Sequence, residues 1–308
     1  MGFVDEKLNQ IFISDLEPSK TVLDFLGDSA FSQPSISVTG SQTHILFAQS
    51  VISALATLSN ITVCAINGNF SDTFVLVRKL RDDLFQYLFL LYVLSNRSGF
   101  SEFTKEELED FNMEEESSFL DMFDKLLKVL VSGERKNALK HSVDLWFDNI
   151  IEKDEYSKER KLFDASKYVE MLKRDELVKE CFDLFLSKYW KKNNRLLNNY
   201  VHANGIKYIL SNQPSNTYNQ RVEHLNAVSS AISEIVSMFL AVVILIKPSF
   251  IMSDDYVSHL DVGLEPPEDS QYWIAPCIQD FLNTHINLID PKLKDFLREK
   301  NPYAMVIE

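Results

Sequence analysis

The sequence predicts an all-α protein, and three observations carry that expectation. The 308-residue chain has only 8 glycines and 9 prolines, fewer than average usage gives at this length. Both residues punctuate turns and interrupt helices, so their scarcity favours long helices over a β-sandwich or a glycine-rich nucleotide fold. Apolar residues recur at helical spacing, as in Ile45, Ala48, Ile52, Leu55 and Ala56. A hydrophobic fraction of 45% with 25% charged residues is the balance of a globular chain that can bury a sizeable core.

Residues 1–40 read as an irregular N-terminal segment. Ile11 to Ile13 and Val22 to Leu26 are short apolar pieces among polar residues, and Ser35 to Thr39 could form a short strand. Residues 41–248 read as a helical bundle. Within it, Phe74 to Leu94 starts amphipathic, with Arg78, Arg81, Asp82 and Asp83, and ends almost wholly apolar, as a central bundle helix does. Arg78 and Asp82 can pair at i,i+4, or Asp82 or Asp83 can reach Arg195 and orient it. Ser101 to Ser118 is densely acidic and reads as a solvated face or an acidic insertion. Phe119 to Leu130 and Ala138 to Ile151 have helical spacing, and the charged stretch from Glu152 to Arg160 is the best candidate boundary. Asp164 or Ser166 can cap the next helix, which carries Tyr168, Met171, Leu172, Val178, Cys181, Phe182 and Phe185. A polar turn from Ser211 to Asn219 leads into a long helix from about Tyr218, stopped by Lys247 and Pro248. Residues 249–308 read as a C-terminal extension packing on the bundle, with Asp290 and Pro291 opening a last helix to Glu299.

The net charge of −14 argues against a protein that coats duplex DNA, so any nucleic-acid contact must come from a local basic patch. Cys64, Cys181 and Cys277 are odd in number and far apart, which fits reduced thiols and a cytoplasmic protein. Met1 to Asn9 is polar and has no signal-peptide core. The apolar run from Ile235 to Ile246 is shorter than the roughly 20 residues of a membrane span, so a core helix is expected and a membrane is not. No histidine pair has zinc-binding spacing, and no phosphate-binding glycine loop occurs, so neither metal nor cofactor is expected. His44, His141, His224, His259 and His285 are scattered, and His224, near Arg221 and Glu223, is expected to face solvent.

One stretch looks like a chemical site. Arg195 and His202 are seven residues apart, which on a helix is about two turns, so both leave one face. Asn198 and Asn199 lie between them. Lys188, Tyr189, Trp190, Lys191, Lys192, Arg195 and Tyr200 form a basic cluster with interleaved aromatics, the composition that holds phosphates and stacks unpaired bases. An imidazole can move the proton of an RNA 2′-hydroxyl, and a guanidinium can stabilise charge on a transferring phosphoryl group. The plain alternative is structural: a salt bridge at Arg195 and a capping or core hydrogen bond at His202.

Arg195-x6-His202, with Leu197-Asn198-Asn199-Tyr200-Val201-His202 in an all-α context, resembles the arginine–histidine motif of HEPN-domain proteins. Leu196 stands where that family commonly has Asn or Asp, and Asn198 or Asn199 are the available substitutes. The resemblance implies a HEPN-like helical bundle and a metal-independent endoribonuclease, usually a homodimer, of bacterial stress response or phage defence. His202 would be the acid/base, Arg195 the charge stabiliser, and Asn198 and Asn199 the orienting groups. Lys191, Lys192 and Tyr200 would hold single-stranded or tRNA-like RNA. An antitoxin or other regulatory protein is an implied partner. The alternative from another class is a non-catalytic helical module that binds RNA, a nucleotide or a protein.

Overall fold

A computed structural model describes residues 3–36, 43–95, 165–212, 217–253, 259, 262–265, 273–302 and 304–308. The acidic stretch from Ser101 to Ser118, the helices expected over Phe119 to Leu130 and Ala138 to Ile151, and the boundary from Glu152 to Arg160 lie outside those residues. The described residues are largely helical, with no strand beyond two isolated bridges, Met252 to Ile274 and Trp273 to Val306.

At the start of the chain α1 spans Phe3–Ile36, so the segment expected to be irregular is a long helix. Its buried residues Leu8, Phe12, Leu16, Leu23, Leu26 and Ala30 make one continuous helical stripe. Contiguous runs such as Ile11 to Ile13 hid that stripe, because the helix buries Phe12 and exposes Ile11. Pro18 and Gly27 sit inside it, yet packing along the stripe outweighs their local cost. Ser35 and Ile36 end this helix rather than opening a strand.

Then come α2 (Thr43–Ile66) and α3 (Phe70–Ser95), each packed on the helix before it. After α4 (Ala165–Leu172), Asp175 caps α5 (Glu176–Cys181) by accepting from the backbone N–H groups of Leu177 and Val178. A π-helical turn, Phe182–Leu186, carries the chain into α6 (Ser187–Val201). The short α7 (Ile206–Ile209) and a 3-10 turn precede α8 (Tyr218–Ile246), which opens with a capping box between Thr217 and Gln220. It stops before Pro248, as the proline predicts. The C-terminal part holds α9 (Pro276–Phe281), a second π-helical turn, α10 (Asn287–Ile289) and α11 (Pro291–Lys300), the last capped by Asp290. Contacts of α9 with α1 and of α11 with α5 and α8 seat this part on the other helices.

The core centres on α8, which packs on α1 and α3. From Ile235 to Ile244 every residue of α8 is completely buried. Phe47 of α2 lies between Phe239 and Phe250, with ring centroids 6.1 and 4.9 Å away. Two helices among the described residues, Phe47–Ile66 and Tyr218–Ile246, are long and apolar enough to cross a membrane. The second is mostly covered by its neighbours, which is how a core helix passes the same test.

Candidate functional site

The sequence made α6 the helix of interest, and its position explains why polar residues stand on its buried face beside Trp190, Leu197 and Tyr200 as well as on its exposed one. It lies on α3 and also touches α8. Toward α3 it meets Arg81, whose guanidinium is only 2% exposed. The Arg81 Nη1 donates to Asn194 Oδ1, while Nε and Nη2 both donate to Asp82 Oδ1, at 2.8 and 2.6 Å. The same guanidinium lies 5.0 Å from the centre of the Trp190 ring. Burial lowers the Arg81 pKa and the carboxylate of Asp82 opposes it, so the ion pair keeps the buried cation charged. Arg78 approaches the other oxygen of Asp82 at 3.5 Å, which is the local i,i+4 pair. Asp83 is bridged by Lys79. Asp82 and Asp83 thus serve arginine and lysine residues of their own helix, not Arg195.

Toward α8 one polar contact is Glu234, a buried carboxylate in an otherwise apolar stretch. Asn193 Nδ2 donates to its Oε2 at 2.8 Å, Lys192 Nζ bridges its Oε1, and Ser230 Oγ donates to that oxygen at 3.3 Å. Lys192, expected to hold RNA, is therefore committed to Glu234. The interleaved aromatics also turn inward. Trp190 packs on Phe85 at 4.7 Å, and the Tyr189 hydroxyl donates to the Ile289 carbonyl at 2.8 Å.

Tyr200, expected to hold RNA, is buried, because its ring stacks on Phe74 with centroids 3.7 Å apart. Its hydroxyl shares a 3.1 Å hydrogen bond with His224 Nδ1. His224 in turn does not face solvent: it is buried and stacks on Phe70 at 4.6 Å. Burial holds the His224 pKa below its ordinary value, with Glu223 acting against that and Lys207 with it. The same burial pushes the Tyr200 hydroxyl pKa up, so it stays protonated.

What remains on the outside of α6 is a single stripe. Lys191, Arg195, Asn198 and His202 are all exposed. On an ideal helix their azimuths relative to Lys191 are about +40°, −20° and +20°, so the four span an arc of about 60°. Among the described residues, none of these four side chains has a hydrogen-bond or ion-pair partner. Arg195 and His202 are separated by about 10.5 Å along the axis. His202 is the C-terminal cap residue of α6, its N–H bonded to the Asn198 carbonyl at 3.0 Å. Asn199 points elsewhere, with its amide donating to the Tyr208 hydroxyl at 3.2 Å.

Two groups went unseen in the sequence as part of this region. Glu234 had a usable signal, as a lone carboxylate inside an apolar run. Tyr208 had none, since only the chain reversal after Gly205 brings it back to Asn199. Among the described residues, no group of three or more His, Cys, Asp or Glu is placed to hold a metal ion. Compared with protein-family profiles, curated proteins and solved structures, the chain has no significant match.

Proposed function

We propose that the outer stripe of α6 is the RNA-cleaving surface of a metal-independent, HEPN-like endoribonuclease. The observation that carries this reading is the alignment of Lys191, Arg195, Asn198 and His202 on one exposed line, each without a protein partner among the described residues. Exposed cations with no structural duty are free to bind phosphates. Neutral His202 accepts the 2′-hydroxyl proton as O2′ attacks phosphorus. The P–O5′ bond breaks, and an imidazolium returns a proton to O5′. The products are a 2′,3′-cyclic phosphate and a 5′-hydroxyl. Arg195 holds the charge that builds on the non-bridging oxygens, and Asn198 orients the phosphate.

Helical side chains lean toward the N-terminus, which draws Arg195 toward Lys191 and His202 toward Asn198. A second copy facing this stripe supplies a complementary arginine and histidine, so a homodimer belongs to the reading. Single-stranded or tRNA-like RNA in the cytoplasm is the substrate, in bacterial stress response or phage defence, with an antitoxin-type protein as regulator. Lys192 can join only by leaving Glu234.

A second reading, a non-catalytic module for RNA, a nucleotide or a protein, is favoured by one observation: no side chain among the described residues orients the His202 imidazole. Cleavage of total RNA and tRNA in EDTA separates the two. Wild type cuts and leaves cyclic-phosphate ends, while folded Arg195→Ala and His202→Ala do not. Binding without turnover by all three proteins supports the second reading.

A further inference from the structure

The turn that presents His202 is built in an unusual way. The chain leaves α6 through a Schellman arrangement, in which Ala203 N–H donates to the Tyr200 carbonyl at 3.2 Å and Asn204 N–H to the Asn199 carbonyl at 2.9 Å. Its left-handed position is filled by Ala203, at φ 47°, where glycine is the usual occupant. The apolar contact that often seals such a cap is replaced by amides. Asn204 Nδ2 donates to Asn199 Oδ1 at 3.3 Å, and Asn199 Nδ2 donates to the Tyr208 hydroxyl at 3.2 Å. The Tyr208 ring meets Tyr200 edge-on at 4.8 Å. Tyr200 is anchored on Phe74 and on buried His224. A continuous line of contacts therefore runs from the core to the residues just after His202.

We propose that Asn199 and Tyr208 are positioning residues that latch this turn and so place His202, an inference that rests on the reading of His202 as the acid/base. Asn199 spends its amide oxygen on Asn204 and its amide nitrogen on Tyr208, so it acts through the turn rather than on the phosphate. His202 has no side-chain partner among the described residues, and its place is set by its backbone. A general base displaced by a fraction of an ångström loses much of its effect. Ala203 in a left-handed conformation makes the turn prone to relax, and the latch opposes that.

The test uses the full-length protein and three variants checked by circular dichroism. Tyr208→Phe keeps the ring and removes the acceptor. Asn199→Ala removes both contacts. Asn199→Asp keeps both, because its carboxylate accepts from Asn204 and from a Tyr208 hydroxyl turned donor. Amide exchange at Ala203 and Asn204 should quicken about tenfold in Tyr208→Phe and Asn199→Ala and stay near wild type in Asn199→Asp. On RNA, the first two should lose about tenfold in kcat with KM within about twofold, and Asn199→Asp should recover kcat. Unchanged exchange in Asn199→Ala and Tyr208→Phe overturns the latch whatever the activity. A kcat loss in Asn199→Asp as deep as in Asn199→Ala overturns it too, because Asn199 then contacts the phosphate directly. Faster exchange in the first two variants of a protein whose wild type cuts no RNA upholds the latch and overturns the cleavage reading alone.

Discussion

Asn194 and Arg195 are neighbours in sequence and opposites in the fold. Asn194 accepts from a guanidinium that is 2% exposed and already shared with Asp82 and Trp190. Arg195, one residue on, stands on the outer face with no partner among the described residues. The same division runs along all of α6: Trp190, Asn193, Asn194 and Tyr200 tie it to α3 and α8, while Lys191, Arg195, Asn198 and His202 tie it to nothing described. Polar residues on a helix serve two ends, and burial with partners tells them apart. A paired, desolvated charge fixes the packing, and an exposed, unpaired one is available to a ligand.

Substitutions on the two faces should therefore fail in different ways. On the outer face, His202→Ala should lower RNA cleavage by about 10²–10⁴-fold, read from single-turnover gels. Its stability in urea should stay within about 0.5 kcal/mol of wild type. On the inner face, Arg81→Ala leaves Asn194 without its donor and Asp82 with only the 3.5 Å contact of Arg78, and should cost about 3 kcal/mol in urea denaturation, the low end for a broken buried pair because Asp82 is partly exposed and keeps that contact. Arg81→Met, which fills the space over Trp190, should cost less; equal losses would mean that the charge, not the packing, dominates.

Acid should loosen the inner face first. His224 has a pKa held by burial below its ordinary 6.5, so the unfolded chain takes up its proton before the folded one does. Its contribution is fully present above pH 6.5 and is lost as pH falls through the folded value. Thermal melts between pH 8 and 5 should show that decline in wild type and a shallower one in His224→Gln, and parallel curves would remove His224 from the account. The smallest effect is expected at the turn, where Ala203→Gly relieves the left-handed alanine and should add about 0.5–1 kcal/mol to stability.

The parts of the fold that were legible in the sequence are those governed by local rules. The end of α8 at Pro248 and the start of α11 at Asp290 follow from proline and capping chemistry, which act within a few residues. The first helix was not legible, because its stripe of Leu8, Phe12 and Leu16 is buried only by packing against elements distant in sequence, α2, α8 and α9 among them, and Pro18 argues locally the other way. At the site, spacing puts Arg195 and His202 on one face of an ideal helix, and in the fold both are exposed, Arg195 within α6 and His202 at its C-terminal cap. Spacing put Tyr200 and His224 on the surface, where the fold buries them, and gave no sign of the Lys192–Glu234 pair, because the partners Phe74, Phe70 and Glu234 come from other helices. An aromatic beside lysines reads as a base-stacking platform in one dimension and as a core anchor in three.

The account turns on the outer face acting on RNA while the inner face holds the fold. The most direct measurement is cleavage of a single-stranded RNA in EDTA by Arg195→Ala and Arg81→Met side by side, each rate divided by the folded fraction from urea denaturation. Arg195→Ala should be fully folded and inactive, and Arg81→Met less stable but active per folded molecule. Wild-type cleavage by Arg195→Ala, or activity that simply follows stability in both variants, would contradict it.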